Sequence, residues 1–168
     1  MGILGAVWGL AGVMLLLGSA VYRLTPLAIE AFSSDWMWYH WFSFAFLVFF
    51  MAYAEGYRAF QQGFSPRVAA RARYLWDHPD VLHTVFAPLF CMAYFHAPKR
   101  RRIVSISVTA GIIVLVILVR LLPQPWRGII DGSVVVGLTW GLFSLVVFGY
   151  QAFFDERFHY SPEVPEVR

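Results

Sequence analysis

Charge is what this chain has least of. Only 14% of its 168 residues are Asp, Glu, Lys or Arg, against 60% hydrophobic, where a soluble domain carries about 25% charged residues. That shortage excludes an ordinary water-soluble core with a solvated surface. Cysteine is nearly absent too: Cys91 stands alone, so it forms no intrachain disulfide and leaves the redox compartment unstated. It reads as a small apolar residue inside an apolar block.

Catalytic and metal-binding patterns are equally scarce. No His-x-x-x-His, Cys-x-x-Cys or His-Glu-x-x-His run occurs, so no metal is expected and a zinc enzyme has no ligand set. Glycine-rich phosphate cradles are missing. Ser105, Ser107 and Thr109 have no histidine or carboxylate near them in sequence, and membrane serines usually bond back to their own helix. No catalytic residue is assigned, and the reading leans away from an enzyme.

What the chain does have is apolar length. Five uninterrupted blocks cover Ile3 to Leu24, Trp36 to Phe60, Val81 to Ala97, Ile103 to Leu122 and Ile129 to Phe154, each near the about 20 residues that a membrane-crossing helix needs. They leave no room for a separate soluble domain. The fold class expected is all-α: a polytopic transmembrane helical bundle of five spans, forming one membrane-embedded domain over 1–154 with a polar tail at 155–168. A pI of about 9.2 and a net charge of +3 do not imply nucleic acid, because the basic residues flank apolar blocks. There they report orientation and contact with anionic lipid headgroups.

Local signals refine the blocks. The first lacks a basic leader region, so it reads as a span rather than a secretory signal, and Thr25-Pro26 should kink or end it. Ser34 or Asp35 is suited to cap the next helix, whose opening cluster Trp36, Trp38, Tyr39 and Trp41 marks a membrane face. By rise per residue, Glu55 and Arg58 then fall near the opposite face, about 30 Å away, where they can pair. Ser65-Pro66 starts a helix, expected over 65–77 as an amphipathic helix lying in the interface.

The third block is short and contains Pro88. The alternative to five spans is therefore four, with 81–97 dipping in as a re-entrant hairpin broken at Ala87-Pro88. Five spans split the basic residues seven against six. Four spans put ten on one side and leave only Arg23, Arg120 and Arg127 on the other, the bias that the positive-inside rule describes.

Ionisable residues at membrane depth mark function by default. Glu30, Glu55, Arg58, Arg120, Gln124, Arg127 and Asp131 are the candidates for binding a ligand or ion, with Arg120 and Asp131 placed to pair around the Pro123–Pro125 turn. No block has a carboxylate at its midpoint, which argues against a proton pump. Arg67, Arg71, Arg73, Lys99, Arg100, Arg101 and Arg102 are the headgroup-binding candidates. Gly5, Gly9, Gly128, Gly132, Gly137 and Gly141 stand at small-xxx-small spacing and suit close helix packing. His40 and His96, at equal depth if the third block spans, are a weak pair of axial ligands for a b-type haem.

The size, number of apolar blocks and abundance of tryptophan loosely resemble the tryptophan-rich sensory protein family, whose proline-containing motifs this chain does not match, so nothing is carried over from it. The functional expectation is a small multi-pass membrane protein acting as a channel, transporter or oligomer-forming accessory subunit. A lipid- or quinone-interacting protein, enzymatic or not, is the alternative, and a haem-binding redox subunit the third. A bacterial inner membrane is the expected location, with lipid, a homo-oligomer or a larger membrane complex as partners.

Overall fold

The computed structural model describes residues 1–164. Among them every regular element is helical: α1 (Gly2–Ala31), α2 (Trp38–Met51), a π-helical stretch (Ala52–Phe64), α3 (Ser65–Asp77), α4 (Val81–Val85), α5 (Ala87–Cys91), α6 (Lys99–Arg120) and α7 (Trp126–Phe154). Three of these, α1, α6 and α7, are long and apolar enough to cross a membrane.

Pro26 does not end α1, which runs on to Ala31. The Thr25 hydroxyl donates to the Val21 carbonyl at 2.7 Å, supplying a local bond beside the one that proline cannot make. Helix α2 starts at Trp38 rather than from a Ser34 or Asp35 cap. The His40 Nδ1 accepts the Met37 N–H at 3.1 Å there, doing the work of an N-terminal cap.

The largest departure from expectation lies between Trp38 and Asp77. No loop separates the second block from the helix at 65–77; α2, the π-helical stretch and α3 follow one another without a break. Helix α3 packs closely into the bundle. Ser65, Pro66, Val68, Ala69, Ala70, Arg71, Ala72 and Leu75 are buried, packed against α1 and α7.

Small residues set the packing. Lipid tails are as apolar as leucine, so helices associate in a membrane through close van der Waals fit rather than through water release. On α7, Gly128 meets Ala31 and Leu27, and Gly149 meets Leu10, so α1 and α7 are antiparallel. Gly132 meets Phe44, Gly137 meets Glu55 and Gly141 meets Phe60, so the Trp38–Asp77 helix runs parallel to α7. The Ser65 and Ser144 hydroxyls continue that register at 2.7 Å.

Residues 81–97 do not form the single helix that a fifth span requires. Two five-residue helices meet at Phe86, and Ala93 and His96 adopt left-handed φ values of 62° and 50°, which turn the chain. The His96 ring comes back to within 4.7 Å of His83. The segment is a hairpin, seated on the glycine face of α1: Gly5 meets Thr84, Gly9 meets Cys91 and Ala87, and Gly12 meets Pro88. Helix α6 follows and stands off from the bundle, almost wholly exposed.

Candidate functional site

Continuity of the Trp38–Asp77 helix moves Glu55. Had the helix ended near Phe60, Glu55 would sit at a membrane face; because it continues through α3, the Glu55 carboxyl instead lies over Gly137, about 15 Å along α7 from Arg127 at 1.5 Å per residue. The Arg127–Asp131 pair marks one end of this interval, at 3.7 Å. Ser65 and Ser144, just before Arg67, mark the approach to the other. Glu55 thus stands near the middle of the continuous Trp38–Asp77 helix, although no apolar block has a carboxylate at its own midpoint.

Two local features shape this position. A side chain on Gly137 would collide with Glu55, and one on Gly56 would collide with Trp140, so the two glycines allow the helices to close around the acid. Glu55 also lies inside the π-helical stretch, a rare form that recurs at functional sites. Arg58 is exposed and makes no ion pair with Glu55 among the described residues. Gln61 instead accepts the Trp140 indole N–H at 2.8 Å.

A second cluster closes the basic end of the bundle. Arg71 is 1% exposed, and its guanidinium donates from Nε to the Phe90 carbonyl at 2.6 Å and from Nη2 to those of Phe95 and His96 at 3.1 and 3.0 Å. Nη1 reaches the Pro162 and Glu163 carbonyls at 2.9 and 3.4 Å, and the plane lies 4.1 Å from the Phe90 ring centre. These bonds hold the Phe95 and His96 carbonyls of the hairpin turn and add to that of Phe90, which also accepts the Ala93 N–H at 2.9 Å. Arg71 is therefore a clamp, not a free headgroup ligand.

Its neighbours divide between structure and surface. Arg67 donates to the Gly63 carbonyl at 2.6 Å, and Arg73 to the Ala152 carbonyl at 2.5 Å. Arg101 forms a two-pronged pair with Glu163 at 2.5 and 2.9 Å. Lys99, Arg100 and Arg102 are exposed. Ser105 donates to the Met92 carbonyl at 2.9 Å, and Thr109 meets the Tyr94 hydroxyl, so these residues tie α6 to the hairpin rather than bonding back to their own helix.

The hairpin mouth gathers titratable groups. His83 Nδ1 lies 3.2 Å from Asp80, whose carboxylate also accepts the His83 backbone N–H. Burial pushes the His96 imidazole below its ordinary value of 6.5, with His83 and Arg71 adding to the effect and Asp80 opposing it.

At the other end, Asp131 pairs with Arg127 one turn before it, not with Arg120, which is exposed at the end of α6. Gln124 accepts the Gly128 N–H at 3.1 Å and reaches the Leu27 carbonyl at 3.5 Å, so it caps the start of α7 and joins it to α1. Glu30 is exposed near the end of α1. His40 is buried here, with its ring 5.0 Å from that of Trp126. His40 therefore stands at the start of α7, whereas His96 contacts Arg71 at the opposite end. The two imidazoles cannot share a haem.

Sequence reading missed the His83–His96 contact, the Arg71 clamp and the depth of Glu55. All three depend on the hairpin returning and on the uninterrupted helix. The ten-to-three distribution of basic residues was the one signal pointing to the first of these. No family model, curated protein or solved structure matches this chain.

Proposed function

We propose that this protein is a four-crossing membrane transporter that takes up a proton or small cation at Glu55. The crossings are α1, the Trp38–Asp77 helix, α6 and α7, with the hairpin at 81–97 entering and leaving from one side. This topology places Arg58, Arg67, Arg71, Arg73, Lys99, Arg100, Arg101, Arg102 and Arg157 toward the side of the two termini, and Arg23, Arg120 and Arg127 toward the other. That asymmetry fits the cytoplasmic face of a bacterial inner membrane.

The observation that carries the reading is Glu55 lying against Gly137, between the Arg127–Asp131 pair and the Ser65–Ser144 contact. A charged carboxylate at such depth costs about 2.5–3.5 kcal/mol on insertion scales, a cost that membrane proteins retain where the group loads and releases an ion. Gly56 and Gly137 leave the backbone close to the acid.

Reconstitution into liposomes with an entrapped pH dye tests this. Imposed gradients should collapse faster with the protein than without it, and Glu55→Gln should abolish the difference while leaving the fold intact. Equal rates for the variant and the parent protein, or no flux above empty liposomes under proton, Na⁺ and K⁺ gradients, would refute it.

A second reading is favoured by the exposed basic residues at one end. Lys99, Arg100 and Arg102 hold anionic lipid headgroups and anchor that face. Replacing Lys99, Arg100 and Arg102 by Gln should reduce retention of every anionic lipid species, and unchanged retention would exclude it.

A further inference from the structure

We propose that the C-terminal tail occupies a binding site for a phosphate-type anion, with the Glu163 carboxylate standing in for the ligand at Arg101 beside Arg71. The proposal takes the one-sided basic surface described above as its setting.

The fit is one of shape and charge. Arg101 presents its Nε and Nη2 to the two Glu163 oxygens at 2.5 and 2.9 Å, the forked arrangement that serves a phosphate equally well. Arg71 is fixed from behind: its bonds to Phe90, Phe95 and His96 involve the hairpin alone, and only Nη1 faces the tail. Departure of the tail would free that nitrogen without disturbing the rest of the clamp. Arg67, one turn before Arg71 on the same helix, is engaged with the Gly63 carbonyl and takes no direct part.

Arg101 thus holds the carboxylate itself and Arg71 the two backbone carbonyls beside it, so two guanidinium groups meet a tail that brings one negative charge. The excess of positive charge favours a ligand carrying about two negative charges, as a phosphate monoester does near neutral pH. The tail is also held under strain, since Glu163 adopts a left-handed φ of 48° that a non-glycine residue occupies at an energetic cost. An occupant that is strained and short of charge is one that a better-matched anion can displace.

The ligand is either a lipid headgroup at the membrane surface or a phosphate from solution. Purified full-length protein tests both sources, in nanodiscs of phosphatidylcholine doped with phosphatidic acid, and in detergent titrated with inorganic phosphate. Glu163→Gln should tighten binding about fivefold, the scale of a part-exposed ion pair removed as competitor, and Arg101→Gln added to it should abolish the gain. Tighter binding of phosphatidic acid identifies a lipid ligand, and tighter binding of inorganic phosphate alone identifies a soluble one. If Glu163→Gln leaves both affinities within twofold of the parent protein, the proposal is overturned. The Lys99, Arg100 and Arg102 triple substitution separates the two ideas, because it weakens general headgroup contact while leaving the gain from Glu163→Gln in place.

Discussion

Replacing Arg71 by Met removes the clamp while keeping most of the side chain's bulk. Five carbonyls lose a partner: those of Phe90, Phe95 and His96 in the hairpin and those of Pro162 and Glu163 in the tail. A hydrogen bond to a charged group contributes about 1.5–3 kcal/mol, but five bonds to one guanidinium are not independent, and the cost of desolvating that cation offsets part of their sum. A loss of about 3–5 kcal/mol is expected, the range for breaking a buried charged network. It should fall on the hairpin, because α1, the Trp38–Asp77 helix and α7 keep their own glycine contacts.

Cys91 offers a native reporter for this. It is the single cysteine, 1% exposed in the hairpin and packed on Gly9, so a thiol reagent reaches it only when the hairpin opens. At about 1.4 kcal/mol per factor of ten, opening should become about a hundredfold to a few thousandfold more frequent, and maleimide labelling should accelerate in proportion. Arg71→Lys should fall between the two, since an ammonium keeps the charge but not the fork. A labelling rate for Arg71→Met within about threefold of the parent protein, a margin small against the factor per 1.4 kcal/mol, would show that the five bonds contribute little and that the clamp has been misjudged.

Cysteine scanning should place residues 78–80 and 98–100 on the same side of the membrane; labelling from opposite sides would restore a fifth crossing. Gly128→Ala should lower stability by about 1–3 kcal/mol through overpacking, because its methyl group would meet Ala31. Gly18→Ala, where nothing lies within 4 Å, should instead be neutral or stabilising by up to about 1 kcal/mol, and thermal unfolding in detergent compares the two. The hairpin should also loosen in acid. His96 is held below 6.5 in the fold, so between that depressed value and 6.5 the unfolded chain binds more protons, and stability falls as the pH falls. Hydrogen exchange in 81–97 should therefore quicken below about pH 6.5 in the parent protein relative to His96→Gln, and an identical pH profile for both would count against this linkage.

Apolar length and scarce charge were enough to read an all-helical, membrane-adapted chain, because hydrocarbon admits only helices and closed barrels and these continuous apolar blocks lack the alternation of barrel strands. Apolar blocks read from Trp36, Ile103 and Ile129 lie within four residues of helix starts at Trp38, Lys99 and Trp126, whereas Ser65-Pro66 continues a helix rather than opening one. Tertiary structure alone decided where the helices do not stop. Pro26 is absorbed within α1, and no break separates Phe60 from Ser65, because Gln61 bonds Trp140 of α7 and the residues from Ser65 onward are buried against α1 and α7. That continuity carries Glu55 from a membrane face to the middle of the bundle. Block length and the proline could not settle the third segment either. Its return depends on Arg71 satisfying carbonyls far along the chain and on glycines of α1 receiving Cys91 and Pro88, contacts whose sequence separation leaves no local trace.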